Sequence, residues 1–194
     1  MDWVKREIEE QIRESIEVKR RIVERMVDQI AEVADMLVQS LRKGGKVILF
    51  GNGGSAADAQ HIAAELVGRF KMERRALPAI ALNTNSSVIT AIGNDYDFTL
   101  SFSRQVEALV KEGDVAVGIS TSGSSSNVIY ALKRASELGA KTIALTGGTG
   151  GTLASVADLA IIVPSDETPR IQEAHITIGH VLCDLVEKML FGGE

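Results

Sequence analysis

Apolar residues recur every three or four positions through the first 43 residues, a stretch that contains no glycine or proline. This spacing is typical of helices with one apolar face, and the positions are Ile8, Ile12, Ile16, Val23, Met26, Val27, Ile30, Ala34, Leu37 and Leu41. One straight helix of this length would extend about 60 Å, far beyond the rest of a domain of this size. The pattern therefore predicts either two helices or one helix that projects into a partner, with self-association as the consequence. The alternative is a charged helix packed wholly on the protein's own sheet.

Five short apolar runs follow, and they predict strands at residues 47–50, 78–82, 115–119, 142–145 and 157–163. Helices are predicted from residue 55, over residues 98–111, up to about residue 138 and over residues 171–190, whereas the polar residues 83–97 are predicted as a loop. Near-continuous apolar strands that alternate with helices indicate a parallel sheet covered by helices on both faces. Ligands are then expected at the carboxyl ends of the strands.

A glycine-rich turn, Gly51-Asn52-Gly53-Gly54-Ser55, follows the first predicted strand. Glycines let backbone NH groups approach a ligand closely, and the N-terminus of the alanine-rich helix that follows attracts anions. We expect Ser55 to be the N-cap of that helix. The turn therefore predicts a cradle for a small anion, although it lacks the spacing of the standard nucleotide-binding loops.

His61 and Glu65 lie four residues apart in this predicted helix, so both side chains point to one face. We expect that face to lie near the same strand end as the cradle. An imidazole and a carboxylate at this spacing suit a metal ion, but the same pair is common as a solvated surface pair. The other two histidines, His175 and His180, fall in the last predicted helix.

Hydroxyl side chains crowd the turn after the third predicted strand, at residues 120–126. This turn has no lysine or arginine. Its hydroxyl and backbone NH groups, together with the N-terminus of the following helix, suit a phosphate monoester rather than a magnesium-bound triphosphate. The alternative is a flexible loop in solvent.

Composition narrows the class of protein. A chain of 194 residues with 45% hydrophobic content fits one compact domain. The net charge of −5 argues against an extended nucleic-acid-binding surface. Cys183 is the only cysteine, which rules out an intrachain disulfide and favours a reducing compartment. The charged N-terminus and the lack of a long apolar run predict a cytoplasmic protein without a membrane or nucleic-acid partner.

Four stretches carry a resemblance that covers nearly the whole chain: GNGGSAADAQHIAAEL, AIGNDYDF, GISTSGSSSNV and TPRIQEAHITIGH. In this order they resemble the sugar isomerase (SIS) family, and within it the phosphoheptose isomerases. The resemblance implies a three-layer α/β/α sandwich with a five-stranded parallel sheet, flavodoxin-like, preceded by long N-terminal helices. It also implies a homotetramer of single-domain chains, with residues 1–43 as a helical oligomerisation segment and residues 44–194 as the α/β core.

The activity implied is an aldose–ketose isomerisation through an enediol, from D-sedoheptulose 7-phosphate to D-glycero-D-manno-heptose 7-phosphate. That reaction opens the synthesis of ADP- or GDP-heptose for bacterial surface polysaccharide. The resemblance implies Glu65 and His180 as the catalytic acid and base, and one zinc ion per subunit on His61, Glu65, Gln172 and His180. The substrate contacts that it implies are Asn52, Gly53, Gly54, Ser55, Glu65, Asn94, Asp95, Ser120, Thr121, Ser122, Ser125 and Gln172.

Three points stay open in the sequence. A non-enzymatic SIS-family tetramer that scaffolds the replication initiator shares several stretches, but its pattern lacks an acid and a base at the positions of Glu65 and His180.

Gln172 and His180 are two helical turns apart, about 12 Å. They could share a metal only through a long glutamine reach, an irregular first turn or ligands from different subunits. His175 lies around the helix from His180 and is interpreted as a packing or interface residue.

Overall fold

The computed structural model describes residues 1–193, which form eight α-helices, one short 3-10 helix and five strands. The strands are β1 (Val47–Gly51), β2 (Ala79–Ala81), β3 (Val115–Ile119), β4 (Lys141–Gly147) and β5 (Leu159–Val163). The helices are α1 (Asp2–Arg25), α2 (Val27–Arg42), α3 (Gly54–Val67), α4 (Ser86–Asp95), α5 (Ser103–Leu109), α6 (Ser126–Glu137), α7 (Gly151–Val156) and α8 (Thr168–Phe191). The 3-10 helix is Phe98–Leu100.

The five strands form one parallel sheet in the order β2-β1-β3-β4-β5. The chain passes from β1 outward to β2 and then returns across β1 to β3, so the winding direction reverses between β1 and β3. In sheets of this order, ligands bind in the crevice at the carboxyl ends of the two strands that flank the reversal. The predicted fold, a flavodoxin-like α/β/α sandwich preceded by long helices, is confirmed.

Two apolar layers cover the two faces of the sheet. The side chains of β1 alternate between these layers. Val47 and Leu49 pack with α2, α3 and α8, whereas Ile48 and Phe50 pack with α5, α6 and α7. Successive side chains of a strand point to opposite faces, so a strand that is buried on both sides needs an unbroken apolar run. All five residues of β1 are buried.

The N-terminal pattern forms two helices, because the helical backbone is interrupted at Met26 (φ −126°, ψ 0°). Helix α2 belongs to the core, since it buries Val33, Leu37 and Val38. Helix α1 buries only Val18 and Ile22. Its other large apolar side chains, which are Trp3, Val4, Ile8, Ile12, Ile16 and Val23, are exposed. The exposed apolar side chains therefore lie mainly on α1, with Val27 at the start of α2, rather than along the whole of residues 1–43.

The prediction of a loop over residues 83–97 was wrong, because α4 forms there. Asn85 is its N-cap, and the side-chain Oδ1 of Asn85 accepts a hydrogen bond from the backbone NH of Val88 (3.1 Å). The helix is mostly exposed and buries only Ile92, so it lacks the strong apolar periodicity that marks a core helix.

The single helix predicted over residues 98–111 was also wrong. It is a 3-10 turn, whose N-cap Asp97 accepts from the NH of Thr99 (2.7 Å), followed by the shorter α5. Strand β2 is short and lies at the edge of the sheet, so that Ile80 is 36% exposed instead of buried. Helix α7 was not predicted, since its six residues are too few to show a period.

Within residues 1–193, none of the helices combines the length and the apolar character that spanning a bilayer requires.

Candidate active site

Two loops predicted to bind ligand lie side by side where the winding of the sheet reverses. One follows β1 and contains Asn52, and the other follows β3 and leads into α6. The side-chain amides of Asn52 and Asn127 donate to each other's Oδ1 atoms, at 2.9 Å in both directions. Asn127 is buried and also donates to Ser101 Oγ (3.3 Å). This paired amide contact holds the two loops together.

The N-cap of α3 is Gly53 rather than Ser55, so that expectation was wrong. Gly53 has a φ of +57°, which favours glycine, and the helix begins at once with Gly54. Ser55 is the second residue of the helix and is buried. The NH groups in the first turn of a helix have no helical partners, so the start of α3 keeps the character of an anion cradle.

The hydroxyl-rich loop after β3 gathers its side chains at the N-terminus of α6. Ser125 is the N-cap of α6, and its Oγ lies 3.0 Å from the Oγ of the buried Ser120. Ser122 and Ser124 are exposed, with their Oγ atoms 2.8 Å apart, and Thr121 is half-buried. The loop thus presents several hydroxyl groups beside a helix N-terminus, without any cation of its own.

Helices α3 and α8 pack side by side and run in the same direction. Gln172 lies against Gly54 at the start of α3, and Gly179 lies against Ile62 further along it. A Cβ atom on Gly179 would lie only 2.7 Å from Ile62 Cδ1, so glycine lets the two helices approach closely. The next residue of α8, His180, therefore reaches the face of α3 that carries His61.

The packing brings His61, Glu65 and His180 together. His61 Nε2 lies 2.9 Å from His180 Nε2 and 3.2 Å from Glu65 Oε1. One potential ligand atom from each residue falls within 4.8 Å of the others. The His61 side chain is 48% exposed and that of Glu65 is 25% exposed, so the cluster is open to solvent on one side.

The donor set fits a zinc-like ion. Zinc is held tetrahedrally by imidazole nitrogens and carboxylate oxygens at about 2.0 Å, which places neighbouring ligand atoms about 3.3 Å apart. The two separations from His61 Nε2 are close to that spacing. Three protein ligands leave a fourth position open, as in catalytic rather than structural zinc sites.

Gln172 does not join these three residues within one chain. Helix α8 is continuous from Thr168 to Phe191, so no irregular turn shortens the two-turn separation between Gln172 and His180. The Gln172 side chain lies over the start of α3, where a Cβ atom on Gly54 would be 2.5 Å from Gln172 Nε2. Within one chain Gln172 therefore lies beside the cradle, and the four-ligand set stays a prediction that needs Gln172 from another subunit.

The expectation that His61 and Glu65 lie at the same strand end as the cradle was wrong too. A helix that follows a strand in this fold runs back along the sheet, away from the strand's carboxyl end. His61 is seven residues beyond Gly54, which corresponds to about 10 Å along α3. The cradle is therefore separated along α3 from the cluster of His61, Glu65 and His180, which we call the triad.

Asn94 and Asp95 are the last two residues of α4, and both are exposed. The side-chain amide of Asn94 donates to Asp95 Oδ1 (2.8 Å). These two predicted substrate contacts therefore face solvent and bond to each other in the single chain.

Two ionisable groups, the half-buried Asp58 and the buried His175, have pKa values that burial shifts. Burial raises the pKa of Asp58 to about 6, although nearby His61 opposes the rise. Within residues 1–193, Asp58 Oδ2 is buried without a hydrogen-bond partner. Burial lowers the pKa of His175 to about 4, and its Nε2 lies 3.1 Å from the carbonyl oxygen of Thr146. His175 is therefore a packing residue of the core.

Sequence reasoning missed an ion pair next to the triad. Arg74 Nε and Glu187 Oε1 are 2.9 Å apart, and both side chains are 1% exposed. The available signal was the position of Glu187, seven residues after His180 and so on the same face of α8. A charged carboxylate on the buried face of an apolar helix is costly unless a cation or hydrogen-bond donors pair with it. Nothing in the sequence identified Arg74 as that cation.

Comparison with known proteins agrees with this architecture. The family model described as SIS domain matches residues 10–147. The phosphoheptose isomerase of Aquifex aeolicus (strain VF5) is 64% identical over 178 residues, which cover 92% of this chain and 93% of the relative. The phosphoheptose isomerase of Geotalea daltonii is 59% identical over 186 residues, or 96% and 97% of the two chains.

Solved structures agree as well. The phosphoheptose isomerase of Neisseria gonorrhoeae superposes with a TM-score of 0.91 at 45% identity, covering 95% of this chain and 99% of that one. The phosphoheptose isomerase of Francisella tularensis superposes with a TM-score of 0.92 at 41% identity, covering 95% and 98%. Fold, sequence and full-length coverage agree, and the chain therefore belongs to the SIS domain family, within its phosphoheptose isomerase group.

Proposed function

We propose that this protein is an aldose–ketose isomerase that interconverts D-sedoheptulose 7-phosphate and D-glycero-D-manno-heptose 7-phosphate. The observation that carries the proposal is the triad of His61, Glu65 and His180, which lies about two helical turns from an anion cradle. The hydroxyl loop of residues 120–126 lies beside this cradle, and a seven-carbon chain can place its phosphate in that loop while its carbonyl carbons reach the triad. Relatives at 54–64% identity bear the name phosphoheptose isomerase, which agrees with this substrate class and reaction.

In the proposed mechanism, Glu65 and His180 move the protons. Glu65 takes a proton from C1 of the ketose while His180 gives one to the carbonyl oxygen on C2, and an enediol forms. Glu65 then returns its proton to C2 while His180 accepts the proton of the C1 hydroxyl group, which yields the aldose. No proton is gained or lost in the cycle. The 25% exposure of Glu65 leaves its carboxylate reachable by a substrate.

We infer that one zinc ion per chain is held by His61, Glu65 and His180, whose imidazole and carboxylate groups suit a borderline ion. An ion bound by these residues would supply Lewis-acid polarisation of the substrate carbonyl group and would stabilise negative charge on the substrate oxygens. Gln172 would complete the predicted ligand set only if another subunit supplied it, since in its own chain it lies against Gly54.

The decisive experiment for the activity is a panel of sugar phosphates assayed with and without added zinc. We expect isomerisation of sedoheptulose 7-phosphate, with weaker turnover of shorter sugar phosphates that cannot span the distance from the hydroxyl loop to the triad. A protein that turns over none of them would favour the second candidate, a non-enzymatic tetramer that scaffolds the replication initiator. The presence of both Glu65 and His180 at one cluster argues against that role. We place the reaction in the cytoplasm, as the first step toward heptose for surface polysaccharide.

The substrate phosphate is assigned to the hydroxyl loop at the N-terminus of α6. Replacing Ser120 and Ser122 together by alanine should raise KM at least about tenfold, since hydrogen bonds to a charged group contribute about 1.5–3 kcal/mol each. Steady-state kinetics measure this. Ser155→Ala is the matched control, because Ser155 is exposed on α7 and its hydroxyl group donates to the Thr152 carbonyl oxygen. An unchanged KM in the double variant would point to Ser55 as the phosphate ligand instead.

We also propose a homotetramer assembled through α1. The exposed apolar side chains of this helix recur at Ile8, Ile12 and Ile16, which are 55%, 56% and 61% exposed, on one face. An apolar stripe of this length on a soluble helix marks an interaction surface. Residues 2–16 contribute no buried side chain to their own chain, so the stripe is free to pack against another subunit.

Changing Ile8, Ile12 and Ile16 together to lysine should dissociate the assembly while each chain stays folded, because these side chains are exposed in the single chain. Sedimentation velocity reports the assembly and circular dichroism reports the fold. Glu10→Lys, on the opposite face of α1, is the control and should leave the assembly intact. A triple variant that sediments as the unchanged protein does would contradict assembly through α1.

A further inference from the structure

We propose that the buried Arg74–Glu187 pair is a clasp that positions the triad, and that Phe70 transmits its effect to His180. The pair touches neither the cradle nor the open side of the cluster, so its role is to position other residues. The inference rests on the proposed function only in taking His61, Glu65 and His180 as the working site.

Glu187 ties the loop after α3 to helix α8. Its carboxylate accepts hydrogen bonds from the backbone NH groups of Phe70 (2.7 Å), Lys71 (2.8 Å) and Met72 (2.9 Å), and from Arg74 Nε (2.9 Å). Four donors around one buried carboxylate fix three consecutive residues of the loop. Burial by itself would raise the pKa of Glu187, but these NH groups and Arg74 hold the pKa below its ordinary value, so the group stays charged.

Arg74 closes the other end of the clasp on α3. Its Nη2 donates to the carbonyl oxygen of Glu65 (2.9 Å), and its Nη1 donates to the carbonyl oxygens of Leu66 (2.9 Å) and Gly68 (3.3 Å). Carbonyl groups in the last turn of a helix have no helical partners, and a cation there also complements the helix dipole. The guanidinium fork therefore fixes the backbone of the residue whose carboxylate belongs to the triad.

The loop held by Glu187 also reaches the second imidazole of the triad. The Phe70 ring stacks on the His180 ring, with centroids 5.4 Å apart and planes inclined by 24°. The backbone NH of Phe70 is itself bound by Glu187. One buried pair thus holds Glu65 through its carbonyl group and His180 through a stacked ring.

A metal titration of the full-length chain tests the clasp. Co²⁺ is added to the metal-free protein, and its visible absorption reports both affinity and ligand geometry. Arg74→Lys keeps the charge opposite Glu187 but loses the planar fork that binds the carbonyl groups. Phe70→Leu removes the stacked ring without leaving any charge unpaired. In both variants we expect Co²⁺ affinity to fall by about 10- to 100-fold, as for other groups that orient metal ligands, with shifted absorption bands. We also expect kcat to fall more than KM rises.

Arg75→Lys is the matched control, since it makes the same substitution at the next residue, which is exposed. It should bind Co²⁺ as the unchanged protein does. Folded variants of Arg74 and Phe70 that keep normal Co²⁺ affinity and spectrum would overturn the proposal and leave the pair with a purely structural role. If Arg74→Lys does not fold, Phe70→Leu decides by the same criterion. The Co²⁺ affinities are measured whether or not the unchanged protein isomerises sedoheptulose 7-phosphate, so the two proposals fail separately.

Discussion

Glu65→Gln should lower kcat for sedoheptulose 7-phosphate by about 10² to 10⁴, because loss of a general base typically costs that much in rate. Glutamine keeps the size and the hydrogen-bonding capacity of the side chain but cannot accept the C1 proton. Glu65 Oε1 lies 3.2 Å from His61 Nε2, and the amide of the variant can still meet that neighbour. We therefore expect the fold and the assembly to persist, which circular dichroism and sedimentation check.

Glu107→Gln is the control for this variant, because Glu107 is an exposed residue of α5 whose pair with Arg134 lies away from the triad. It should turn over substrate normally. If Glu65→Gln isomerises near the normal rate, Glu65 is not the base. The group that removes the proton must then be another residue near the triad or the cradle.

His61→Ala should abolish metal retention. It removes the ligand atom that lies nearest to both of the others, at 2.9 Å from His180 Nε2 and 3.2 Å from Glu65 Oε1. Removing a group that only orients a metal ligand typically lowers metal affinity by about 10- to 100-fold. We expect His61→Ala to lower zinc affinity by more than that, because it removes a ligand itself. Elemental analysis after dialysis measures zinc per chain, and we expect about one ion in the unchanged protein and almost none in the variant.

Gln60→Ala is the neighbouring control on α3, since Gln60 is exposed and its side-chain amide donates to the Ala56 carbonyl oxygen. It should retain metal. Equal zinc in His61→Ala and in the unchanged protein would count against the site. Activity alone would not separate loss of metal from loss of an acid or base, so the metal content is the deciding measurement.

Much of the fold could be predicted from local patterns. The unbroken apolar runs at β1 and β3 predicted strands buried on both faces. In the structure all residues of both strands are buried. The hydroxyl-rich turn of residues 120–126 was predicted to lead into a helix, and Ser125 is its N-cap. Such features are visible locally, because the alternation of side chains along a strand and the capping of a helix depend on a residue and its near neighbours. Local reasoning failed where helices were short or exposed, as for α4 and α7.

The sequence by itself determined which residue types could form a site, namely glycines and hydroxyls at strand ends and an imidazole–carboxylate pair on one helical face. Only the tertiary structure decided their arrangement. The order of the strands placed β1 beside β3, and the parallel packing of α3 and α8 brought His61 to His180 across 119 residues. The same packing set Gln172 against Gly54 and closed Arg74 onto Glu187. Residue periodicity reports which face of an element is buried, but it carries no record of which other element buries it.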